Sequence, residues 1–291
     1  MKTALVLGGT RFFGKHLVRA LLDQGVDVTV ATRGQTEDGF GQRVKRLTID
    51  RTDRDSVVQA VEGRTFDFVF DQICYGPTDA QYAVEAFAGK VGRYIFTSTL
   101  SVYDLTGEAL AEEGFDPYQY PIRYGERSEF DYQEGKRLAE AVFFQKADFP
   151  VVAVRIPIVM GTDDYTRRLH FYVERIRDGV PFYIPNLDAK MNFITSQEAG
   201  NFLAWVAQSE LTGPVNACAT GTISIRELLA LIEEKVGKQA VLAQERTDAT
   251  ASPYGIPVSW YMDTTRAERA GFAFTRLHDW LPQLVQEIVK E

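Results

Sequence analysis

Tyr132 and Lys136 stand four residues apart in a segment, Glu129–Lys146, whose pattern predicts a long helix. On a helix, residues i and i+4 lie on one face with their Cβ atoms about 5–6 Å apart. A lysine ammonium beside a tyrosine favours the phenolate, so it lowers the tyrosine pKa from its ordinary value of about 10. Such a phenol can exchange a proton with a hydroxyl or carbonyl group of a substrate. Alone, a Tyr–Lys pair at this spacing is common and indicates no function.

Hydroxyl side chains cluster at the end of an apolar segment, Arg93–Ser98, that predicts a strand. The cluster consists of Thr97, Ser98, Thr99 and Ser101. In open α/β sheets, ligands bind at the carboxyl ends of the strands, so one of these hydroxyls could hydrogen-bond the reacting oxygen of a substrate. An ordinary polar strand terminus has the same composition, so the cluster is informative only together with the Tyr–Lys pair.

The glycine-rich segment Gly8–Gly14 follows the first predicted strand, Thr3–Leu7, and opens a predicted helix. A helix N-terminus offers free backbone N–H groups and a positive dipole end, and glycines allow a pyrophosphate to come close. The spacing typical of three-glycine dinucleotide sites would place the middle glycine at position 11, where this chain has Arg11. The segment predicts a dinucleotide site; the alternative is a tight turn that packs the helix on the strand without a ligand.

These residues need a scaffold, and short apolar segments that alternate with amphipathic ones predict β-α units on a parallel sheet. Further strands are predicted at Val26–Thr32, Val44–Ile49, Phe66–Phe70 and Val151–Arg155, and further helices at Ser56–Val61 and around Asp79–Ala88. After Gly161 the alternation gives way to longer polar and aromatic connections. A part of the molecule that covers the substrate would lie there.

Composition excludes several classes of protein. The formal net charge of -8 argues against a surface that neutralises a nucleic-acid backbone. Two cysteines, Cys74 and Cys218, cannot form a disulfide framework, so a cytoplasmic protein is expected. No apolar segment approaches the roughly 18 residues of a membrane-spanning helix. We expect neither a signal peptide nor a metal site.

Several motifs in a consistent order resemble those of extended short-chain dehydrogenases/reductases of the NAD(P)-dependent epimerase/dehydratase type. The motifs are LGGTRFFG, FDFVFD, IFTSTLSVY, YQEGK, RLAEA, VRIPIVMG, NFITSQEAGNFL, GPVNACATGTISIRELL and DTTRAERAGF, and they extend over essentially the whole chain. The resemblance implies an α/β fold, a Rossmann-type doubly wound parallel sheet with a smaller C-terminal α/β substrate lobe. The implied nucleotide-binding domain comprises residues 1–161 plus about 190–218, and the implied substrate lobe comprises about 162–189 plus 219–291.

The resemblance also implies roles for individual residues. Tyr132 would be the general acid/base, and Lys136 would bind the nicotinamide-ribose hydroxyls and lower the pKa of Tyr132. Thr99, four residues before Tyr103, would orient the substrate oxygen. Further cofactor contacts are implied for Gly8, Gly9, Thr10, Arg11, Phe12, Phe13 and Gly14 in the turn, for Asp50 and Arg51 after the third strand, and for Pro157.

The end of the second predicted strand bears on the choice of cofactor. Enzymes that bind NAD usually place an acidic residue there to hold the adenosine ribose hydroxyls, but this chain has Thr32 and Arg33. A carboxylate would repel a 2′-phosphate, whereas these side chains could accept one, and Arg11 would add a second cation. The sequence therefore favours NADP(H), with NAD(H) as the alternative if the arginines are solvated or one pairs with Asp50 or Asp53.

Departures from the family pattern argue against some of the reactions that members of the family catalyse. Dehydratases of the family follow the catalytic Thr with an Asp-Glu pair, where this chain has Leu100–Ser101. Nucleotide-sugar epimerases carry one clamp arginine at the position of Lys190–Asn192 and a second near Ser252–Pro257, and neither is evident here. A UDP-sugar is therefore disfavoured, although the lysine of the first segment, Arg167 or Arg168 could substitute.

The sequence thus predicts a cytoplasmic NAD(P)-dependent oxidoreductase or epimerase that acts at a carbinol or carbonyl carbon of a small, sugar-like substrate. A nucleotide-sugar epimerase with bound NAD is one alternative. The motifs also resemble chloroplast stem-loop-binding proteins, relatives associated with RNA, and a sensor could bind NADP(H) without turnover. The negative charge and the Tyr132–Lys136 pair argue against a pure RNA or cofactor binder, so we expect no nucleic-acid partner. A homodimer would be usual for the family.

Overall fold

The computed structural model describes residues 1–291, and its N-terminal third alternates short strands with helices. Strands and helices follow in the order β1 (Thr3–Leu7), α1 (Phe13–Asp23), β2 (Asp27–Thr32), β3 (Lys45–Thr48), α2 (Arg54–Ala60), β4 (Phe66–Asp71), α3 (Pro77–Phe87) and β5 (Val91–Thr99). Every strand that the sequence predicts in this part is confirmed, with ends that differ by at most two residues.

The remainder of the chain adds longer helices and several two-residue strands. They are β6 (Ala109–Leu110), α4 (Tyr132–Lys146), β7 (Val151–Ile156), β8 (Val159–Met160), α5 (Arg168–Asp178), β9 (Lys190–Met191), β10 (Ile194–Thr195), α6 (Ser196–Val206), β11 (Gly213–Asn216), β12 (Ile223–Ser224), α7 (Ile225–Val236), β13 (Tyr261–Met262), α8 (Thr265–Arg269) and α9 (Leu277–Lys290). No helix combines the length and the apolar character needed to cross a membrane.

Seven of the strands form one parallel sheet in the order β11-β7-β5-β4-β1-β2-β3. The chain winds outward from β1 in one direction and from β4 in the other, so the strand order reverses between these two neighbours. In such sheets a crevice opens at the carboxyl ends of the strands beside the reversal. The predicted Rossmann-type α/β fold is therefore confirmed, and β1 and β4 mark the expected ligand site.

Helices cover both faces of the sheet. On one face α1 and α6 bury a core that includes Leu17, Phe202 and Leu203. These two helices are in close contact, because a Cβ atom on Gly200 would lie only 2.6 Å from the Cβ atom of His16. The other face is covered by α2, α3 and α4, which fix the position of the helix that carries Tyr132.

A third core lies in the C-terminal part of the chain. Helices α5, α7 and α9 surround it, with Tyr172, Leu228 and Leu281 among its buried residues. The core also includes Met191 and Phe193, which precede α6 in the chain. The domain boundaries suggested by the family resemblance stay a prediction, because a packed core does not by itself define a boundary.

The start of α4 differs from the prediction in a way that affects the site. The helix begins at Tyr132 rather than at Glu129, because the Asp131 side chain accepts a hydrogen bond from the Glu134 N–H (2.8 Å) and caps the helix. Residues Arg127–Glu129 form a separate short 3₁₀ turn. Tyr132 is therefore the first helical residue, at the exposed end of α4.

Candidate active site

The carboxyl ends of the central strands open into a cleft of about 340 Å³. Six residues that the sequence predicts to be functional line this one cleft, namely Phe12, Phe13, Thr99, Tyr132, Lys136 and Pro157. They come from four different parts of the chain, which the parallel sheet brings together at one edge. The remaining predicted residues lie in the glycine turn or beside the ends of β2 and β3.

The turn between β1 and α1 offers an unusual number of free donors. The backbone N–H groups of Gly9, Thr10, Arg11 and Phe12 form no hydrogen bond within the chain. They stand at the N-terminus of α1, where free N–H groups and the helix dipole favour an anion. A side chain at Gly14 would collide with Gln72 and with the backbone of Gly9, so this close approach requires glycine.

The conformation of the turn explains how an arginine replaces a glycine at position 11. Positive φ angles occur at Gly8 (97°), Gly9 (83°) and Phe12 (50°), but not at Arg11. Arg11 lies outside that left-handed region, so the backbone conformation at position 11 does not require glycine. The strain falls on Phe12, which packs edge-on against Tyr165 with ring centroids 6.1 Å apart. The sequence pattern did not predict this strained residue.

Lys136 is buried at the base of the cleft, where only 2% of the residue is exposed. Its ammonium group donates hydrogen bonds to the carbonyl oxygens of Cys74 and Thr97, each at 2.8 Å. An ammonium group has three N–H donors, so one remains for a ligand or for a neighbouring side chain. Tyr132, in contrast, is 52% exposed at the start of α4.

The hydroxyl cluster after β5 divides into structural and available groups. Ser98 Oγ donates to Glu140 Oε1 (2.5 Å), and Glu140 is bound in turn by the buried Arg155, so this hydroxyl belongs to the protein interior. Thr99 Oγ1 accepts the Ser101 N–H (3.1 Å) and lines the cleft. The Thr97 hydroxyl also lines the cleft and is buried without any partner.

Two further cleft residues follow β4 and were not predicted from the sequence. The amide nitrogen of Gln72 is buried without a partner, next to the glycine turn. The ring of Tyr75 lies 6.5 Å from the ring of Tyr132, and burial, followed by the neighbouring Tyr132 and Tyr165, raises the pKa of Tyr75 to about 12. The carboxyl end of β4 is the signal that would have identified both residues.

The arginines predicted to recognise a 2′-phosphate lie at the exposed end of the site. Arg11 makes one long hydrogen bond to Thr36 Oγ1 (3.4 Å), and Arg33 is exposed and forms no ion pair. Hydrogen bonds from Thr52 are the main cause of the lowered pKa of Asp50, and Arg33 contributes least. Neither arginine forms a salt bridge. Thr32 Oγ1 accepts the backbone N–H of Gly34 (3.1 Å).

The position of Arg51 corrects part of the predicted cofactor contact. Its guanidinium is buried and binds Asp71 Oδ2 through Nε (3.2 Å) and Nη2 (2.7 Å), and the Asp79 carbonyl through Nη1 (2.7 Å). The Tyr94 hydroxyl donates to the same oxygen of Asp71 (2.6 Å). The Arg51 side chain therefore ties β4 to α3 and is unavailable to an adenine, whereas Asp50 is exposed.

A Ser–His–Asp cluster lies outside the cleft, between α1, α6 and the loop after β8. His16 Nε2 is 3.1 Å from Asp163 Oδ2, and Ser196 Oγ is 2.7 Å from Asp163 Oδ1 and 3.4 Å from His16 Nε2. A hydrolytic triad needs the aspartate on one ring nitrogen and the serine on the other. Here both contact the same nitrogen, so the cluster joins the two helices and is no hydrolase site.

Comparisons with known proteins agree with this fold. Over 233 residues, the chain is 26% identical to a 2-alkyl-3-oxoalkanoate reductase from Stenotrophomonas maltophilia, covering 74% of this chain and 67% of the relative. It is 26% identical over 201 residues to the chloroplast stem-loop binding protein of 41 kDa b of Arabidopsis thaliana, covering 64% of this chain. That match spans only about half (49%) of the Arabidopsis protein.

Among solved structures, UDP-glucose 4-epimerase of Thermus thermophilus in complex with NAD superimposes with a TM-score of 0.67. The alignment covers 99% of this chain and 98% of the epimerase at 19% identity, so it supports the fold. The model of the NAD dependent epimerase/dehydratase family matches residues 4–218, close to three quarters of the chain. The chain therefore belongs to the NAD-dependent epimerase/dehydratase family.

Proposed function

We propose that the protein is an oxidoreductase that prefers NADP(H) and acts at a carbinol or carbonyl carbon of a small substrate. One observation carries the proposal: Thr99, Tyr132 and Lys136 line a single cleft with the turn whose four backbone N–H groups are free. A protein that bound only a nucleotide could use the turn and Lys136 but would have no use for Thr99 and Tyr132.

The residues present suit a nicotinamide dinucleotide. The free N–H groups of Gly9–Phe12 would hold the pyrophosphate, as helix N-termini commonly do. The buried amide of Gln72 and the buried hydroxyl of Thr97 lack partners that a bound cofactor would provide. When bound, the nicotinamide supplies or accepts a hydride at the substrate carbon.

Side chains of the protein would transfer the proton to and from the substrate oxygen. We assign Tyr132 the role of proton donor to the carbonyl oxygen in reduction and of proton acceptor in the reverse direction, because it lies four residues from Lys136 on α4 and, unlike the more buried Tyr75, is 52% exposed. Thr99 would hydrogen-bond the same oxygen and fix its position. The third N–H of Lys136 would bind a ribose hydroxyl or the Tyr132 phenol, held in place by the two carbonyls that the ammonium already contacts.

Preference for NADP(H) and for net reduction is part of the proposal. Arg11 and Arg33 are both free to bind a 2′-phosphate, and β2 ends at Thr32 without the acidic residue typical of NAD sites. Glu37 and Asp38 both line the cavity beside Thr32, but Asp38 is paired with Arg46, so Glu37 alone would oppose a phosphate bound by Arg11 and Arg33. The reductase from Stenotrophomonas supports reduction as the net reaction in this branch of the family.

The decisive experiment identifies the nucleotide that copurifies with the protein and then screens aldehydes and ketones with NADPH and NADH. We expect weak retention of nucleotide and oxidation of NADPH coupled to reduction of a carbonyl. Stoichiometric, tightly held NAD without net oxidation would instead indicate an epimerase. Binding of RNA with a steep salt dependence, without turnover of either cofactor, would overturn the proposed enzyme.

A further inference from the structure

Arg168 is the only arginine that lines the cleft, and its charge has no partner in the protein. It is the first residue of α5, where its backbone N–H donates a hydrogen bond to Asp164 Oδ2 (3.3 Å). The preceding residue, Arg167, binds Glu174 outside the cleft. A cation that is partly removed from water without a counter-ion is unfavourable, so a bound anion would stabilise it.

No carboxylate lines the cleft, although the chain contains 40 acidic residues. The nearest acid in sequence, Asp164, is buried and already accepts hydrogen bonds from the Thr166 N–H (2.8 Å) and hydroxyl (2.6 Å). Lys136 adds a second cation at the base of the cleft. An acidic protein thus encloses a cleft with a positive potential, which selects a negatively charged ligand.

Trp260 provides a second donor that lacks an acceptor. Its indole N–H is buried without a partner, and the residue lines the same cleft as Arg168. A buried donor without an acceptor costs free energy, so a ligand that supplies an oxygen atom here is favoured. The donor also belongs to the C-terminal part of the chain, away from the glycine turn.

Apolar side chains form part of the cleft wall. Leu100, Ile156, Ile158 and Val159 line the cleft of about 340 Å³, together with the polar Ser101 and Thr166. The segment at which the family resemblance places a diphosphate clamp, Lys190–Asn192, contains no arginine, and its central residue, Met191, is buried and apolar. A short apolar chain with one acidic group fits these walls better than a nucleoside diphosphate.

We propose that the substrate is a carboxylic acid with a short apolar chain, whose carboxylate binds Arg168 and the Trp260 N–H while its carbonyl or hydroxyl group lies at Thr99 and Tyr132. The planar guanidinium matches the two oxygens of a carboxylate. This assignment specifies the substrate class of the proposed enzyme. It rests on the proposed function in one respect, because it takes the cleft to be the reaction site.

The test measures binding without turnover. Hexanoate, its neutral analogue hexanamide, and hexyl phosphate are titrated by calorimetry into the protein saturated with NADP⁺. Loss of an ionic hydrogen bond weakens binding about tenfold, so the native protein should bind hexanoate about tenfold more tightly than hexanamide. Arg168→Gln should bring that ratio close to one, and Arg168→Lys should restore part of it.

The adjacent arginine provides a matched control. Arg167→Gln removes an equal charge one residue away, outside the cleft, and should leave the hexanoate preference unchanged. Equal binding of hexanoate and hexanamide by the native protein, or a preference that survives Arg168→Gln, would overturn the assignment. Tighter binding of hexyl phosphate with the same dependence on Arg168 would overturn it in favour of a phosphate ester.

The two proposals fail separately. A Tyr132→Phe variant should retain the preference for hexanoate, because Tyr132 takes no part in anchoring the carboxylate. If the preference holds but no carbonyl acid is reduced, the anion site stands and the proposed oxidoreductase is wrong. If other carbonyl compounds are reduced but the preference is absent, the oxidoreductase stands and the carboxylate assignment is wrong.

Discussion

The two ends of the proposed cofactor site are built differently. At the nicotinamide end, Lys136 is buried and bonded to two backbone carbonyls, and the neighbouring hydroxyls of residues 97–99 are at least nine-tenths buried. At the ribose end, Arg11 and Arg33 are exposed, and Arg11 makes one long hydrogen bond of 3.4 Å and lies 5.9 Å from the centroid of the Tyr165 ring. Apart from the half-exposed Tyr132, the groups at the nicotinamide end are thus packed, whereas cofactor selection is assigned to free side chains.

This difference has a physical consequence for substitutions. A change at the buried end removes hydrogen bonds that nothing else can replace, so catalysis and stability should fall together. A change at the exposed end leaves a solvated surface behind, so affinity should fall without loss of stability. Each prediction below tests one side of this contrast.

The largest effect is expected for Tyr132→Phe, which removes the proposed proton donor and retains the ring. Loss of general acid/base catalysis should reduce kcat about 10²–10⁴-fold, whereas the dissociation constant of NADPH should change little. Steady-state kinetics and calorimetry measure the two quantities.

Tyr75→Phe is the matched control for this variant. Tyr75 lines the same cleft, but its pKa is raised to about 12, mainly by burial, so its phenol is poorly suited to exchange a proton near neutral pH. It should retain most of the native kcat. Comparable losses in both variants would contradict the assignment of Tyr132.

Lys136→Met should affect catalysis and stability together. The substitution leaves the carbonyls of Cys74 and Thr97 without a donor in the interior, which should cost about 2–4 kcal/mol in the free energy of unfolding. The value of kcat/KM should also fall, because the third N–H of the ammonium is lost. Urea denaturation and kinetics provide the two measurements.

Lys146→Met, at the exposed end of the same helix, is the control and should change neither quantity. If Lys136→Met proved as stable as the native protein, the nicotinamide end would not be held by packing. The contrast between the two ends would then be wrong.

At the ribose end, the double variant Arg11→Ala and Arg33→Ala should change affinity alone. Loss of charge-assisted hydrogen bonds to a 2′-phosphate should weaken NADPH binding about 10–100-fold and NADH binding far less. The melting temperature should stay close to that of the native protein. Calorimetry with both nucleotides measures the difference.

The double variant Arg19→Ala and Arg64→Ala, which removes two other exposed arginines, controls for the change in net charge. Equal losses for NADPH and NADH would show that the two arginines do not recognise the 2′-phosphate. A preference for NADH in the native protein would contradict the choice of cofactor directly.

The features that the sequence predicted are those set by local patterns, whereas contacts between distant buried residues were not predicted. The strands were predictable because apolar periodicity is local. The family resemblance singled out Thr99, Tyr132 and Lys136, and the rule that ligands bind at carboxyl strand ends predicted where such residues would meet. The partner of Arg51 was not predictable, because Asp71 is 20 residues away and only the folded sheet brings them together. The positive φ of Phe12 was not predicted either, because the glycine pattern indicates a left-handed conformation only at glycine positions.

The smallest effect is expected from the loop that follows β2, where Asp38 binds Arg46 through Nε (2.9 Å) and Nη2 (2.8 Å). The hydrogen bond from Arg46 is the main cause that lowers the pKa of Asp38 below its ordinary value of 3.8. A carboxyl group with a lowered native pKa stabilises the protein above its ordinary pKa and loses that contribution as the pH falls through the native value. Asp38→Asn should therefore lower the melting temperature by a few degrees at pH 7, and the difference should diminish as the pH falls below 3.8. Glu37→Gln, an exposed neighbour, should have no such effect, and a pH-independent loss in Asp38→Asn would rule out the ion pair as its cause.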